Sequence, residues 1–225
     1  MNAAREFGRH FGPWVPTALR PLVRDENLLV RAGRAGHRTA FANAYPSGWP
    51  GERARRRVAG PPLAALGAGR LDRHAEHLAR GEAVSSEIVN DGWIRHLGPD
   101  DLPRPTPREA GRTLAAIAAP GGLTMYAHYA TDTAGHRSDV SAGVAALERV
   151  DDFLGGVLEA LPPSHRLVVV SDHGNIEDVR RGHTRNPALG LVVGGRGDSD
   201  SRAEDAAERL TSLMRVPEVV MALLD

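Results

Sequence analysis

Three short segments of this chain carry residue types that can do chemistry together. The first is Tyr129-Ala-Thr-Asp132-Thr-Ala-Gly-His136, the second Ser171-Asp172-His173-Gly174-Asn175, and the third Gly182-His183-Thr184-Arg185-Asn186-Pro187. Asp132 and His136 are four apart, so one helical turn would aim both side chains at the same point. A carboxylate oxygen and an imidazole nitrogen are good ligands for zinc or manganese. Asp172 and His173 directly follow the apolar run Arg166–Ser171. That is where open parallel sheets bind ligands, at the C-terminal ends of their strands. Gly174 permits the turn that lets the pair converge. His183 lies ten residues beyond His173 and can loop back. Each piece is weak alone, and Asp-x-x-x-His in particular is common. Together they offer five ligand-type side chains from three loops, which points to a metal site.

The elements that must position these residues are legible in the pattern. Arg166–Ser171 and Leu189–Gly194 are short, β-branched and nearly continuous in apolar character, as buried parallel strands are. Leu123–Tyr129 is a mixed strand, and Thr39–Ala44 a weaker one. Residues 138–161 read as a long helix, with Val140, Val144, Leu147, Val150, Phe153, Leu154, Val157 and Leu158 close to a 3.6 period, and Pro162-Pro163 stop it. Residues 107–119 read as a second helix, with Thr106 as N-cap and Pro107 at its first position. Two further helices are expected at 203–213 and 217–224. The alternation predicts an α/β domain with a mostly parallel sheet flanked by helices. Residues 46–105 hold seven of the sixteen prolines and no strong strand pattern. They read as a small cap inserted within a single domain spanning 1–225.

Composition narrows the function classes. The 225 residues balance 28 acidic against 28 basic side chains, and every basic one is arginine. Zero net charge argues against a nucleic-acid partner. The absence of cysteine excludes disulfides, thiolate zinc sites and a cysteine nucleophile. No apolar run approaches the ~20 residues of a membrane span, and the first residues lack the apolar stretch of a leader. A cytoplasmic protein is expected, without a membrane partner; nothing identifies a protein partner.

The three segments resemble the alkaline phosphatase superfamily, and most closely its metalloenzyme branch of cofactor-independent phosphoglycerate mutases and phosphopentomutases. That branch shows Asp-x-x-x-His, then a strand leading into Asp-His-Gly-Asn, then a His-Thr pair. Residues 123–195 carry the likeness, with Phe41–Pro46 and Val89–Trp93 as lesser matches. The resemblance implies two divalent metal ions, manganese or zinc. Asp132, His136 and His183 would hold the first, Asp172 and His173 the second. It implies phosphoryl transfer on a phosphorylated small molecule, by a phosphatase- or phosphomutase-like route, with residues 46–105 setting substrate choice.

The same resemblance calls for an aspartate at the end of a first strand and a Ser or Thr nucleophile, both ahead of the segment that begins at Asn2, and so upstream of Met1. Neither is found, and Thr17 and Ser47 lie in the wrong context. The expectation is therefore an alkaline phosphatase-like fold lacking its first strand, N-terminally truncated at Met1, with one ion retained and activity impaired. A non-catalytic metal-binding or scaffold remnant, or a subunit completed by another chain, are the rival readings. Arg137 and Arg185 are candidate substrate-binding residues, since a guanidinium can meet phosphate. Arg180 and Arg181 would add to an anion-attracting rim. The cluster Arg53, Arg55, Arg56 and Arg57 reads as a solvated face, His74 and His77 as an exposed pair, Gly194-Gly195-Arg196-Gly197 as a loop rather than a nucleotide cradle, and Arg196-Gly197-Asp198 as a chance match to the integrin tripeptide.

Overall fold

The computed structural model describes residues 12, 14–51, 57–97, 101–137, 139–180, 182–195 and 200–225. Arg53, Arg55, Arg56, Arg181 and Arg196-Gly197-Asp198 lie outside them. So do Met1 and the segment that follows it from Asn2. In chain order the elements are α1 (Arg20–Asp25), α2 (Leu28–Arg34), β1 (Thr39–Phe41), α3 (Gly60–Gly67), α4 (Ala75–Ala79), α5 (Asp91–Leu97) and α6 (Pro107–Ala118). Then follow β2 (Leu123–Met125), α7 (Ala130–Gly135), α8 (Val140–Ala160), β3 (Leu167–Val170), β4 (Gly190–Val193), α9 (Ser201–Arg209) and α10 (Val216–Leu224). The arrangement is α/β, with helices around a small parallel pair of strands and a second, antiparallel pair.

The two longest helices among the described residues start where their caps dictate. Thr106 Oγ1 accepts from the Glu109 N–H at 3.2 Å, and the Glu109 carboxylate accepts from the Thr106 N–H at 2.8 Å. This reciprocal box satisfies two of the donors every helix start leaves open. Asp139 caps α8, its carboxylate accepting from Ser141 N at 2.9 Å and Ala142 N at 3.3 Å. The helices pack side by side over a core of Ala40, Ala42, Val84, Ile88, Ala110, Leu114, Ile117, Phe153 and Val157, with Tyr126 and Leu167 against its rim. Arg108 closes the solvent edge of the pair on Asp152 and Glu159. The α8 face is only half used: Phe153 and Val157 are buried, whereas Val140, Val144, Leu147 and Leu158 are exposed. Length explains most of this, because α6 is about 18 Å long and α8 about 31 Å.

β1 and β2 pair in parallel, with Thr39 opposite Leu123 and Phe41 opposite Met125. Past the strand ends Asn43 takes over. Its fully buried amide donates to Ala127 O at 2.7 Å and accepts from Ala127 N at 2.8 Å, imitating one more step of the ladder. β3 and β4 depart from the mostly parallel sheet that the sequence predicts. They form a separate antiparallel pair, Leu167 opposite Val193 and Val170 opposite Gly190. The connection between them explains it. Parallel neighbours need a crossover, usually a helix, that returns the chain to the start of the next strand. Among the described residues of 171–189 there is a single 3-10 turn, Ile176–Asp178, and the chain doubles back.

Residues 46–105 contribute α3, α4 and α5, with a small core of Ala44, Leu78, Ala83, Trp93 and Leu102. His74 and His77 are half-buried rather than exposed. His74 Nδ1 lies 3.0 Å from Tyr45 O, and the His74 backbone N–H donates to His77 Nδ1 at 3.1 Å, so both serve local structure. Among the described residues no helix is long and apolar enough to cross a membrane.

Candidate metal centre

The segment leaving β2 is held before it reaches the site. The Tyr126 hydroxyl donates to Ser85 O at 2.7 Å, and His128 Nδ1 lies 2.9 Å from Ser86 O. Burial pushes the His128 imidazole below its ordinary pKa and the Tyr129 phenol above its own. From this anchored stretch α7 makes its short turn. Asp132 sits inside it and His136 directly after it, and the i,i+4 spacing brings Asp132 Oδ1 to 3.4 Å from His136 Nε2.

His183 arrives from the other side. The loops after β3 and before β4 are stitched by a bridge between Gly174 and Thr184, with Thr184 N donating to Gly174 O at 2.9 Å. Gly174 is needed for this approach, since a Cβ there would overlap the Thr184 hydroxyl. The bridge sets the His183 ring against that of His173, centroids 3.9 Å apart. His183 Nε2 then lies 3.2 Å from Asp132 Oδ1 and 3.0 Å from His136 Nε2.

One oxygen and two imidazole nitrogens thus form a triangle with edges of 3.0, 3.2 and 3.4 Å. Ligands about 2.0–2.1 Å from a tetrahedral ion stand about 3.3 Å apart, so the triangle matches one face of such a shell. Among the described residues this is the one group of three ligand-type side chains that converges in this way.

His173 borders the triangle. Its Nε2 is 3.9 Å from Asp132 Oδ1 and 3.6 Å from Asp172 Oδ2. Asp172 stands outside it, with a side chain 84% exposed. The sequence-derived division into two sites therefore meets a geometry in which His173 lies between Asp132 and Asp172. Arg137 and Arg185 are exposed.

Two residues of the site went unassigned in the sequence. Asn175 is buried and donates Nδ2 to Asp132 Oδ1 at 2.5 Å, with a longer bond to Asp132 O at 3.4 Å. It lies so close to α7 that a Cβ at Gly135 would overlap its Oδ1. Glu177 accepts from Asn175 N at 2.6 Å, from Asn186 Nδ2 at 3.0 Å and from the Thr184 hydroxyl. The Thr184 hydroxyl, helped by these other donors, holds the Glu177 carboxyl below the usual carboxylate range. The signal available in the sequence was their place in Asp-His-Gly-Asn and two residues after it; spacing alone gives no hint of what they touch.

The family model of the metalloenzyme superfamily matches residues 112–224, just over half of the chain. The chain belongs to the metalloenzyme superfamily. Membership implies a divalent-metal cofactor, and the donor chemistry of Asp132, His136 and His183 fits one. The chain is also similar to three proteins named 2,3-bisphosphoglycerate-independent phosphoglycerate mutase. That of Rhodopseudomonas palustris is 35% identical over 97 residues, 39% of this chain and 19% of the relative. That of Cereibacter sphaeroides is 31% identical over 124 residues, 50% of this chain and 24% of the relative. That of Ruegeria pomeroyi is 32% identical over 124 residues, 50% and 25% respectively. This superfamily member therefore spans a quarter or less of the length of those relatives. No solved structure matches it.

Proposed function

We propose that this metalloenzyme-superfamily chain performs metal-dependent phosphoryl transfer on a phosphorylated small molecule, as a phosphatase- or phosphomutase-like protein. The observation that carries the reading is the triangle of Asp132 Oδ1, His136 Nε2 and His183 Nε2. The names of the relatives support the reaction class.

Asp132, His136 and His183 would hold a divalent ion, manganese or zinc. Asp172 and His173 are the candidate ligands of a second. A bound ion of this kind neutralises charge on a transferring phosphoryl group and raises the potency of the attacking oxygen. The exposed guanidinium groups of Arg137 and Arg185 are suited to meet a phosphate by paired N–H donation. Residues 46–105 are proposed to set substrate choice. No nucleophile is assigned, and the Thr184 hydroxyl is committed to Glu177.

A second reading, a metal-binding protein without catalysis, draws on the exposure of Asp172, which leaves the second ion a thin ligand set. Hydrolysis of p-nitrophenyl phosphate with added Mn2+ or Zn2+ separates the two. The proposal expects turnover that chelator removes, metal restores and Asp132→Ala abolishes. Stoichiometric metal uptake with no metal-dependent turnover would give the non-catalytic reading instead.

A further inference from the structure

We infer that Glu177 is the positioning residue of this metal centre, a brace that fixes both ligand-bearing loops through Asn175 on one side and Thr184 on the other. The inference rests on the metal reading of Asp132, His136 and His183. Glu177 works through its neighbours. Its Oε2 accepts from Asn175 N at 2.6 Å, and Asn175 in turn donates to Asp132 Oδ1 at 2.5 Å. Its Oε1 accepts from the Thr184 hydroxyl and from Asn186 Nδ2 at 3.0 Å. Thr184 follows His183 in the chain and pairs with Gly174, which follows His173. One carboxylate thus joins the loop after β3 to the loop before β4, and connects both to α7.

The chemistry of the partners makes a carboxylate the required group. Three donors converge on it: a backbone N–H, a hydroxyl and an amide NH2. An ionised carboxylate accepts from all three, whereas a glutamine would turn its own NH2 toward one of them. The Asn175 amide is fixed by the same logic. Asp132 can only accept, so the nitrogen of Asn175 must face it. Its oxygen is then left against Gly135, buried and without a donor among the described residues. An unpaired buried oxygen is costly, and it is tolerated because the reversed amide would set oxygen against carboxylate. A donor held on a ligating carboxylate orients it and tunes its affinity for the ion.

The test is zinc titration of the metal-free chain by calorimetry, alongside thermal unfolding of the same samples. Glu177→Gln is expected to weaken Zn2+ binding about 10- to 100-fold. Thr184→Val is expected to weaken it less, and the double variant no further than Glu177→Gln. Arg166→Gln breaks the Arg166–Asp200 ion pair at the start of β3 and serves as the control. It should lower unfolding temperature while leaving zinc affinity as in wild type. Zinc binding by Glu177→Gln indistinguishable from wild type overturns the inference alone, as does a loss no larger than that of Arg166→Gln. If Glu177→Gln does not fold, unchanged affinity in Thr184→Val overturns it. A wild-type chain that takes up no zinc, or a His183→Ala chain that binds as tightly as wild type, overturns the metal reading and this inference with it.

Discussion

His136 Nε2 and His183 Nε2 stand 3.0 Å apart although 47 residues separate them in the chain. Asp132 Oδ1 lies within 3.4 Å of both. The contact joins a short helix after β2 to a loop before β4. Its geometry depends on the close fit of Asn175 against α7 and on the Gly174–Thr184 bridge.

Gly135→Ala probes that fit. Its methyl group would overlap Asn175 Oδ1, so the amide must leave Asp132 or α7 must shift. A cost of about 1–3 kcal/mol is expected, typical of overpacking. Chemical unfolding measures it, and metal titration of the same variant should show weakened binding. Unchanged stability and affinity would mean that the close approach is not required.

His128 should make the fold acid-sensitive. Burial lowers its pKa in the folded chain, so the unfolded chain binds the proton more readily. Stability from the neutral imidazole is fully present above the unfolded value of about 6.5 and is lost as pH falls through the lower folded value. Denaturant midpoints of wild type and His128→Gln, compared from about pH 7.5 down to about pH 5, should converge toward the acid end. Parallel curves would remove His128 from the account.

Phe153 is the large side chain between α8 and the strand layer, 4% exposed, with the Tyr126 ring 5.2 Å away. Phe153→Ala is expected to cost about 3–5 kcal/mol through lost burial and the cavity left behind. Tyr126 leads into the anchored stretch before α7, so the same variant should also weaken metal binding. Calorimetric unfolding and titration check the two effects separately.

Much of this was readable in the residues, for reasons that differ by element. α6 follows from its cap Thr106 and from Pro107, and α8 from its apolar period and the prolines that stop it, which are local signals; the Asp139 cap came only with the structure. β1, β2, β3 and β4 lie inside the predicted apolar runs. The direction of β4 was not readable, because it depends on a connection that lacks a crossover helix. The exposure of Val140, Val144 and Leu147 was equally hidden, since periodicity marks a face without saying whether a neighbour is long enough to cover it. Asp132 with His136 was visible as a helical spacing. Asn175 and Glu177 were not, because their partners sit across loops that no spacing encodes. Asp172 was expected to join the ligands from its place directly after the strand run Arg166–Ser171 and from the Asp-His-Gly-Asn resemblance; its side chain is 84% exposed.

The most direct test of the metal centre is the stoichiometry and affinity of Zn2+ and Mn2+ on the metal-free chain, by calorimetry with elemental analysis of the dialysed product. About one tightly held divalent ion per chain is expected, lost in Asp132→Ala, His136→Ala and His183→Ala alike. Absence of binding, or binding that survives all three substitutions, would contradict it.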